Sequence, residues 1–259
     1  MDHVISADGT PIAFEARGDG PTVVIVNGAL STAADAQGLA LALVDTGLRA
    51  VVWDRRARGA SGDSPGSIPQ REVEDLAAVI DAAGPDVVVL GHSSGAILAL
   101  LATSTGVPVR ALFLSEPPLH FGVGDAPTDL ADRLQALIDR GDPGEAVATF
   151  QREGVGLPSE MVEQIRASEQ FPRLVPLAQS TVYDTQLVRE VSTPTPEMLA
   201  VRQPVVVLRG EQTFPFLIAA ADRLAEAIDH AELVVVPESV MHRPDPVATA
   251  RVVSERVLA

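Results

Sequence analysis

The sequence of 259 residues contains no cysteine. A disulfide framework, a thiolate nucleophile and a zinc–thiolate site are therefore excluded. Basic residues are also scarce, because 19 Lys and Arg face 35 Asp and Glu and leave a formal net charge of −16. Such an acidic surface repels phosphate backbones and anionic headgroups, so we expect neither nucleic acid nor a membrane surface as a partner.

Long hydrophobic runs are missing as well. No apolar run approaches the roughly 20 residues that cross a bilayer, and the first residues lack the basic and apolar segments of a signal peptide. These absences predict a cytoplasmic protein. Hydrophobic residues nevertheless make up 46% of the chain, enough for a sizeable core. The length suits one large α/β domain or a core with an insertion.

Short apolar runs rich in β-branched residues recur along the chain and predict strands buried on both faces of a sheet. The clearest runs cover residues 23–26, 50–53, 87–90, 111–114, 205–208 and 233–236. Helical spacing lies between most of them, which predicts a mostly parallel sheet flanked by helices. Two weaker runs within residues 3–17, joined by a turn, predict an antiparallel hairpin at one sheet edge. The expected sheet therefore has eight strands.

The alternation of strand and helix stops between Pro117 and Pro204, where the apolar spacing is helical. Proline and glycine interrupt this stretch repeatedly, which predicts several short helices rather than a long bundle. We expect residues 1–116 and 204–259 to form the core and residues 117–203 to form a helical lid inserted into it.

One motif stands in the context that nucleophilic chemistry requires. Residues 91–95 read Gly-His-Ser-Ser-Gly and separate a predicted strand from a predicted helix. A serine in such a turn, here Ser93, presents its hydroxyl outside the sheet, and the N–H of Ser94 can donate to an oxyanion. The alternative for Ser93 is a helix cap. A second match at residues 62–66 is rejected, because no strand precedes it and Pro65 has no N–H.

The sequence resembles the α/β-hydrolase family over nearly its whole length. Four positions carry the resemblance in chain order: residues 26–29 (Val-Asn-Gly-Ala), residues 53–61 (Trp-Asp-Arg-Arg-Ala-Arg-Gly-Ala-Ser), the Ser93 turn and His242 after the eighth strand. The resemblance implies an α/β-hydrolase fold with a lid. Within the second segment we expect Asp54 and the two arginines that follow it to form a structural ion-pair turn rather than a catalytic acid.

The resemblance also implies roles for single residues. Ser93 is expected to be the nucleophile, with the backbone N–H groups of Ala29 and Ser94 as oxyanion donors. His242 matches the family's base, and His120, on the loop that enters the insertion, is its rival. Neither a cofactor nor a metal is implied, because no ligand spacing such as H-E-x-x-H occurs.

The catalytic acid departs from the usual family pattern. Most members carry an Asp after the seventh strand, whereas this sequence has Thr213 there. Glu116, after the sixth strand, is the expected acid, and Glu211 is the alternative. An acid at this earlier position occurs in haloalkane dehalogenases and in zearalenone-type lactone hydrolases. The serine nucleophile makes this sequence more similar to the second group.

These residues predict hydrolysis of a carboxylic ester or lactone through an acyl-enzyme on Ser93. The alternative is a non-hydrolytic lyase or small-molecule binder on the same fold, which turnover of a generic ester would exclude. The expected partner is a small apolar ester or lactone, and a homodimer is one option for the assembly. The substrate pocket is expected between the serine turn and the lid. Its expected walls are Leu30, Phe121, Phe171, Tyr183, Leu187, Phe214 and Met241.

Overall fold

A computed structural model describes all residues 1–259 and contains one eight-stranded sheet in the order β1-β2-β4-β3-β5-β6-β7-β8. The strands are β1 Asp2–Ile5, β2 Pro11–Arg17, β3 Thr22–Val26, β4 Arg49–Trp53, β5 Val88–His92, β6 Ala111–Ser115, β7 Val205–Gln212 and β8 Glu232–Val240. β1 and β2 form an antiparallel hairpin, β2 pairs antiparallel with β4, and all other pairings are parallel. The predicted sheet and its edge hairpin are confirmed.

Helices cover both faces of this sheet. The helices are α1 Gln37–Asp45, α2 Pro69–Ala83, α3 Ser94–Ser104, α4 Leu130–Asp139, α5 Pro143–Thr149, α6 Ser159–Arg166, α7 Phe171–Leu174, α8 Ala178–Glu190, α9 Pro196–Leu199, α10 Pro215–Ala227 and α11 Pro246–Val257. None of them combines the length and the apolar composition needed to cross a bilayer.

The central strands read as continuous apolar runs because successive side chains enter two different cores. In β3, Val24 packs in the core beneath α2, α3 and α10, whereas its neighbours Val23 and Ile25 pack in the core beneath α1 and α11. The same alternation holds in β4 and β5, so each strand is apolar on both faces.

The stretch between β6 and β7 contains only helices, as its spacing predicts. Eight residues of helices α4, α5 and α8, together with Phe150 directly after α5, form a separate buried cluster above the sheet. The end of α8 leaves this cluster, and Leu187 and Val191 join the main core together with Met198 of α9. The insertion is therefore anchored in the main core by its second half, and the division into core and lid at residues 117 and 203 stays a prediction.

Candidate active site

The sheet brings three of the predicted site residues to one edge, because the carboxyl ends of parallel strands lie side by side. Ser93 follows β5 directly, and its N–H donates to Ser115 O at 2.9 Å. Glu116 follows β6, and its N–H donates to Leu208 O at 2.9 Å. His242 comes two residues after the end of β8. Three strand ends thus deliver a hydroxyl, a carboxylate and an imidazole to the same region.

Ser93 has an unusual backbone conformation, with φ 54° and ψ −127°. The turn is tight enough that a Cβ at Gly95 would lie 2.1 Å from the carbonyl oxygen of Val26. Strained conformations of this kind cost free energy and cluster at functional sites. Six of the eight non-glycine residues with positive φ lie around this edge of the sheet: Leu30, Ser93, Glu116, Phe121, Met241 and His242.

His242 and Glu116 form the central contact, with His242 Nδ1 and Glu116 Oε2 2.5 Å apart. The N–H of Gly210 donates to Glu116 Oε1 at 2.8 Å, and Thr213 Oγ1 donates to Oε2 at 3.0 Å. An ionised carboxylate only accepts hydrogen bonds, so Nδ1 of the imidazole is the donor in this contact. The other ring nitrogen, Nε2, is the one to which a nucleophile could pass its proton.

Burial alone would raise the pKa of Glu116, but the hydrogen bonds from His242, Gly210 and Thr213 hold this pKa below its ordinary value. The carboxylate is therefore ionised at neutral pH. Glu211, the alternative acid, is exposed and points to no partner of this kind. The rival base, His120, contacts Val123 O at 3.3 Å through Nδ1 and stacks on Phe216 instead of approaching Glu116.

The loop after β3 lies directly against the serine. A Cβ at Gly28 would come within 2.8 Å of Ser93 Cβ and 3.4 Å of its Oγ, so only glycine allows this approach. Neither the Ala29 N–H nor the Ser94 N–H donates to a protein acceptor. Two free amide donors therefore flank the serine, one on the β3 loop and one at the start of α3.

His92 adds a second imidazole beside the first. Its ring centroid lies 4.5 Å from that of His242, and its Nδ1 is 3.4 Å from Ser115 Oγ. Burial, and then the proximity of His242, lower the pKa of His92 to about 3. The imidazole of His92 is therefore uncharged at neutral pH.

This low pKa makes the folded protein sensitive to acid. The unfolded chain binds a proton at His92 near the ordinary value of 6.5, whereas the folded chain binds it only near about 3. Stability must fall as the pH drops through this interval, because the unfolded state takes up the proton first. We expect His92→Gln to lose less stability than the wild type between about pH 7 and about pH 4.5, measured by urea unfolding. Equal losses of stability in the wild type and the variant would contradict the lowered pKa of His92.

The arginine turn after β4 corrects one expectation. Asp54 does not pair with the arginines beside it but accepts hydrogen bonds from two backbone N–H groups. Arg55 pairs with Glu72 instead, and Arg56 forms a bidentate ion pair with Asp75. The partners come from helix α2, three residues apart on one face, so they lie beneath the turn rather than within it.

Sequence reasoning missed one functional candidate, Asp184 of α8. Its carboxylate contacts Arg55 Nη1 at 3.0 Å, Arg58 Nη2 at 2.6 Å and the hydroxyl of Ser94 at 2.7 Å. The side chain is only 1% exposed. A single acidic residue among buried positions of a helix is the signal that could have drawn attention to it.

Five of the seven expected pocket walls keep accessible surface. Leu30 and Phe171 pack against the cluster shared by α4, α5 and α8, and Phe121, Phe214 and Met241 lie on the loops that follow β6, β7 and β8. Their part in binding a substrate stays a prediction.

The other two expected walls need correction. Leu187 is completely buried in the main core, so it has no surface to offer a ligand. Tyr183 is 4% exposed, and its hydroxyl donates to Asp63 at 3.0 Å. The helical spacing of α8 places both side chains inward, where Leu187 fills the core and Tyr183 connects α8 to the loop after β4.

The position of Leu187 leads to a stability prediction. Leu187→Ala removes a fully buried side chain and leaves a cavity, which should lower the free energy of unfolding by about 2–5 kcal/mol. Because the residue has no surface, KM for any substrate should stay within about twofold of the wild type. Urea unfolding and steady-state kinetics on the same preparation measure both. A large rise in KM without loss of stability would restore Leu187 as a pocket wall.

Both the sequence and the fold are similar to those of known proteins. Residues 23–252 match the Alpha/beta hydrolase family. An alpha/beta hydrolase from Sphaerobacter thermophilus superposes with a TM-score of 0.91 at 39% identity, over 100% of both chains. A thermophilic esterase from Thermogutta terrifontis gives 0.73 at 20% identity, over 99% of this chain and 96% of that one. An esterase from Exiguobacterium antarcticum gives 0.71 at 18%, over 99% of each. No curated protein sequence matches.

Proposed function

Because this chain belongs to the alpha/beta hydrolase family, we propose that it is a serine hydrolase that cleaves a carboxylic ester or a lactone through an acyl-enzyme on Ser93. One observation carries the proposal. The hydrogen bond between Glu116 and His242 holds an imidazole at the strand edge where the strained Ser93 turn presents its hydroxyl. A serine needs such a base, and the base needs such a carboxylate.

In the acylation step, Ser93 Oγ attacks the carbonyl carbon while its proton passes to His242 Nε2. The negative charge of the tetrahedral intermediate falls on the former carbonyl oxygen, where the N–H groups of Ala29 and Ser94 stabilise it. Glu116 stabilises the imidazolium. His242 then returns the proton to the departing alkoxide, the carbon–oxygen bond breaks, and the acyl group stays on Ser93.

In the deacylation step, water attacks the acyl carbon and gives its proton to His242. Collapse of the second tetrahedral intermediate breaks the bond to Ser93 Oγ, which recovers the proton, and a carboxylic acid leaves. With a lactone the released alcohol stays attached to the acyl chain, so a single hydroxy acid is the product. An alkoxide leaves more readily than an amide nitrogen, which favours esters and lactones over amides.

The position of the acid supports the lactonase-like branch within this proposal. Glu116 comes from β6, and Thr213, where most relatives carry their Asp, donates to its carboxylate. The two esterases with similar folds support ester cleavage in general terms. The acidic surface, with a net charge of −16, argues for an uncharged substrate.

The test combines a fluorophosphonate probe with a panel of acyl esters and lactones. We expect one adduct, which peptide mapping assigns to Ser93, and turnover of at least one ester or lactone. The peptide that contains Ser64 is an internal control, because the second G-x-S-x-G sequence should stay unlabelled. An adduct without turnover of any panel member would favour the lyase or binder on this fold. The absence of both an adduct and turnover would contradict the proposed mechanism.

A further inference from the structure

A buried charge cluster connects the lid to the loop that lies against Ser93. It consists of Arg55, Arg58, Glu72 and Asp184, each with a side chain at most 2% exposed. The two arginines are paired with the two carboxylates: Arg55 with Glu72 and Asp184, and Arg58 with Asp184. Three of its members come from the core, and only Asp184 comes from the lid helix α8.

Both arginines donate hydrogen bonds to carbonyl oxygens of the loop after β3. Arg58 Nη1 donates to Gly28 O at 2.5 Å and to Ser31 O at 3.2 Å, while Arg55 Nη1 donates to Asn27 O at 3.2 Å. Arg58 therefore reaches the carbonyl of the peptide unit whose N–H belongs to Ala29.

Because the peptide bond is planar, the contact between Arg58 and Gly28 O also fixes the direction of the Ala29 N–H. The C=O and the N–H of a planar trans peptide point in opposite directions. With Gly28 O fixed on the buried arginine, the Ala29 N–H is forced to face the other way, away from the cluster. On the second side of the serine, the hydroxyl of Ser94 donates to Asp184 at 2.7 Å and ties down the first residue of α3.

We propose that Asp184 is a positioning residue that aligns both oxyanion donors, the Ala29 N–H through Arg58 and the Ser94 N–H through the Ser94 side chain. The inference rests on the proposed serine hydrolase function and deepens it. The lid is thereby more than a cover over the substrate, since one of its carboxylates sets the geometry of the catalytic backbone.

The charge of Asp184 is needed for this role. Burial would raise its pKa, but Arg58, Arg55 and the Ser94 hydroxyl lower the pKa below the ordinary aspartate value, so the carboxylate is ionised. Arg58 Nε has no hydrogen-bond partner, which leaves Asp184 as the only side chain that pairs with this guanidinium. Loss of the charge would leave Arg58 buried and uncompensated.

The decisive variant is Asp184→Asn, which keeps the shape of the side chain. We expect kcat to fall about 100-fold with KM within about twofold, because an oxyanion donor acts mainly in the transition state. The rate of fluorophosphonate labelling and the affinity for a boronic acid, which mimics the tetrahedral intermediate, should fall with kcat.

The matched control is Asp75→Asn. It breaks the other buried ion pair of the same turn, that of Arg56, which makes no contact with the β3 loop. We expect Asp75→Asn to lower the melting temperature to a similar extent and to leave kcat unchanged. Equal kcat losses in the two variants, or a rise in KM alone for Asp184→Asn, would overturn the proposal.

A second variant keeps the test valid if Asp184→Asn fails to fold. Ser94→Ala removes the hydrogen bond that Ser94 Oγ donates to Asp184 and the one that it accepts from Arg55 Nη1 at 3.1 Å, without leaving a buried charge unpaired. It should lower kcat about three- to tenfold with KM unchanged. An unchanged kcat would count against the proposal. The two ways of failing can be distinguished. If the serine hydrolase function is wrong, the wild type takes up no fluorophosphonate. If only the positioning role is wrong, the wild type and the variants are labelled at the same rate.

Discussion

Ser93→Ala is expected to lower kcat for any ester that the wild type cleaves by about 10,000-fold or more. The substitution removes the hydroxyl that is proposed to form the acyl-enzyme. The neighbouring hydroxyl of Ser94 cannot replace it, because Ser94 is buried and its hydroxyl donates to Asp184 at 2.7 Å. The residual rate would come from water attacking a substrate whose carbonyl is still held by the oxyanion donors. Burst kinetics on an activated ester would disappear as well, because no acyl-enzyme accumulates.

The fold should survive this change, so the loss of activity can be read as a loss of chemistry. The Ser93 hydroxyl makes no hydrogen bond in the structure, and alanine keeps the Cβ that packs against Gly28. We expect a melting temperature equal to or slightly above that of the wild type. A functional site that is strained for its chemistry commonly gains stability when the chemistry is removed.

The control for this experiment is already in the chain. Ser64 lies in the second G-x-S-x-G sequence, in the middle of the loop between β4 and α2 rather than directly between a strand and a helix, and Ser64→Ala should leave kcat and KM unchanged. A Ser93→Ala protein that keeps a tenth of the wild-type rate, or a Ser64→Ala protein that loses it, would refute the choice of nucleophile.

The strands could be predicted from the sequence because both faces of the central sheet are buried, so their apolar runs are continuous. The ends of β7 and β8 could not. The runs predict strands over 205–208 and 233–236, yet β7 continues to Gln212 and β8 to Val240. Six of the eight residues in these extensions are polar or glycine, and five of the eight are exposed. The register between β7 and β8 shifts between Gly210 and Gln212, and it is in this extension that the Gly210 N–H donates to Glu116.

Some parts of the candidate site could be predicted from residues close together in the sequence, and others could not. The Ser93 turn is a local motif, so strand, glycines and helix can be recognised within 15 residues or so. The buried cluster has no such local pattern, because Arg58 and Asp184 are 126 residues apart in the chain. Only the packing of α8 on the core brings them together. Charge pairs of this kind become visible when burial is known, since a buried carboxylate requires a partner.

Glu116→Gln is the second substitution with a large expected effect, a fall in kcat of about 1,000- to 10,000-fold with little change in KM. Glutamine keeps the size of the side chain but cannot stabilise an imidazolium, and its amide can hold His242 in the wrong tautomer. Steady-state kinetics on the best ester of the panel measures the effect. The control is Glu211→Gln, which alters the exposed alternative acid and should leave kcat within about twofold.

The structure allows the acid to be moved as well as removed. Thr213 Oγ1 lies 3.0 Å from Glu116 Oε2, so an aspartate at position 213 could enter the space that a shortened residue 116 leaves. We expect Glu116→Ala to be almost inactive and the double variant Glu116→Ala/Thr213→Asp to recover at least about tenfold in kcat. Thr213→Asp alone should not help, because two carboxylates would then compete for one imidazole at close range. Recovery in the double variant alone would show that His242 requires a carboxylate at this place and not a particular strand to supply it. If Glu116→Ala kept most of the activity, Glu116 would not be the acid and the Glu116–His242 hydrogen bond would be structural.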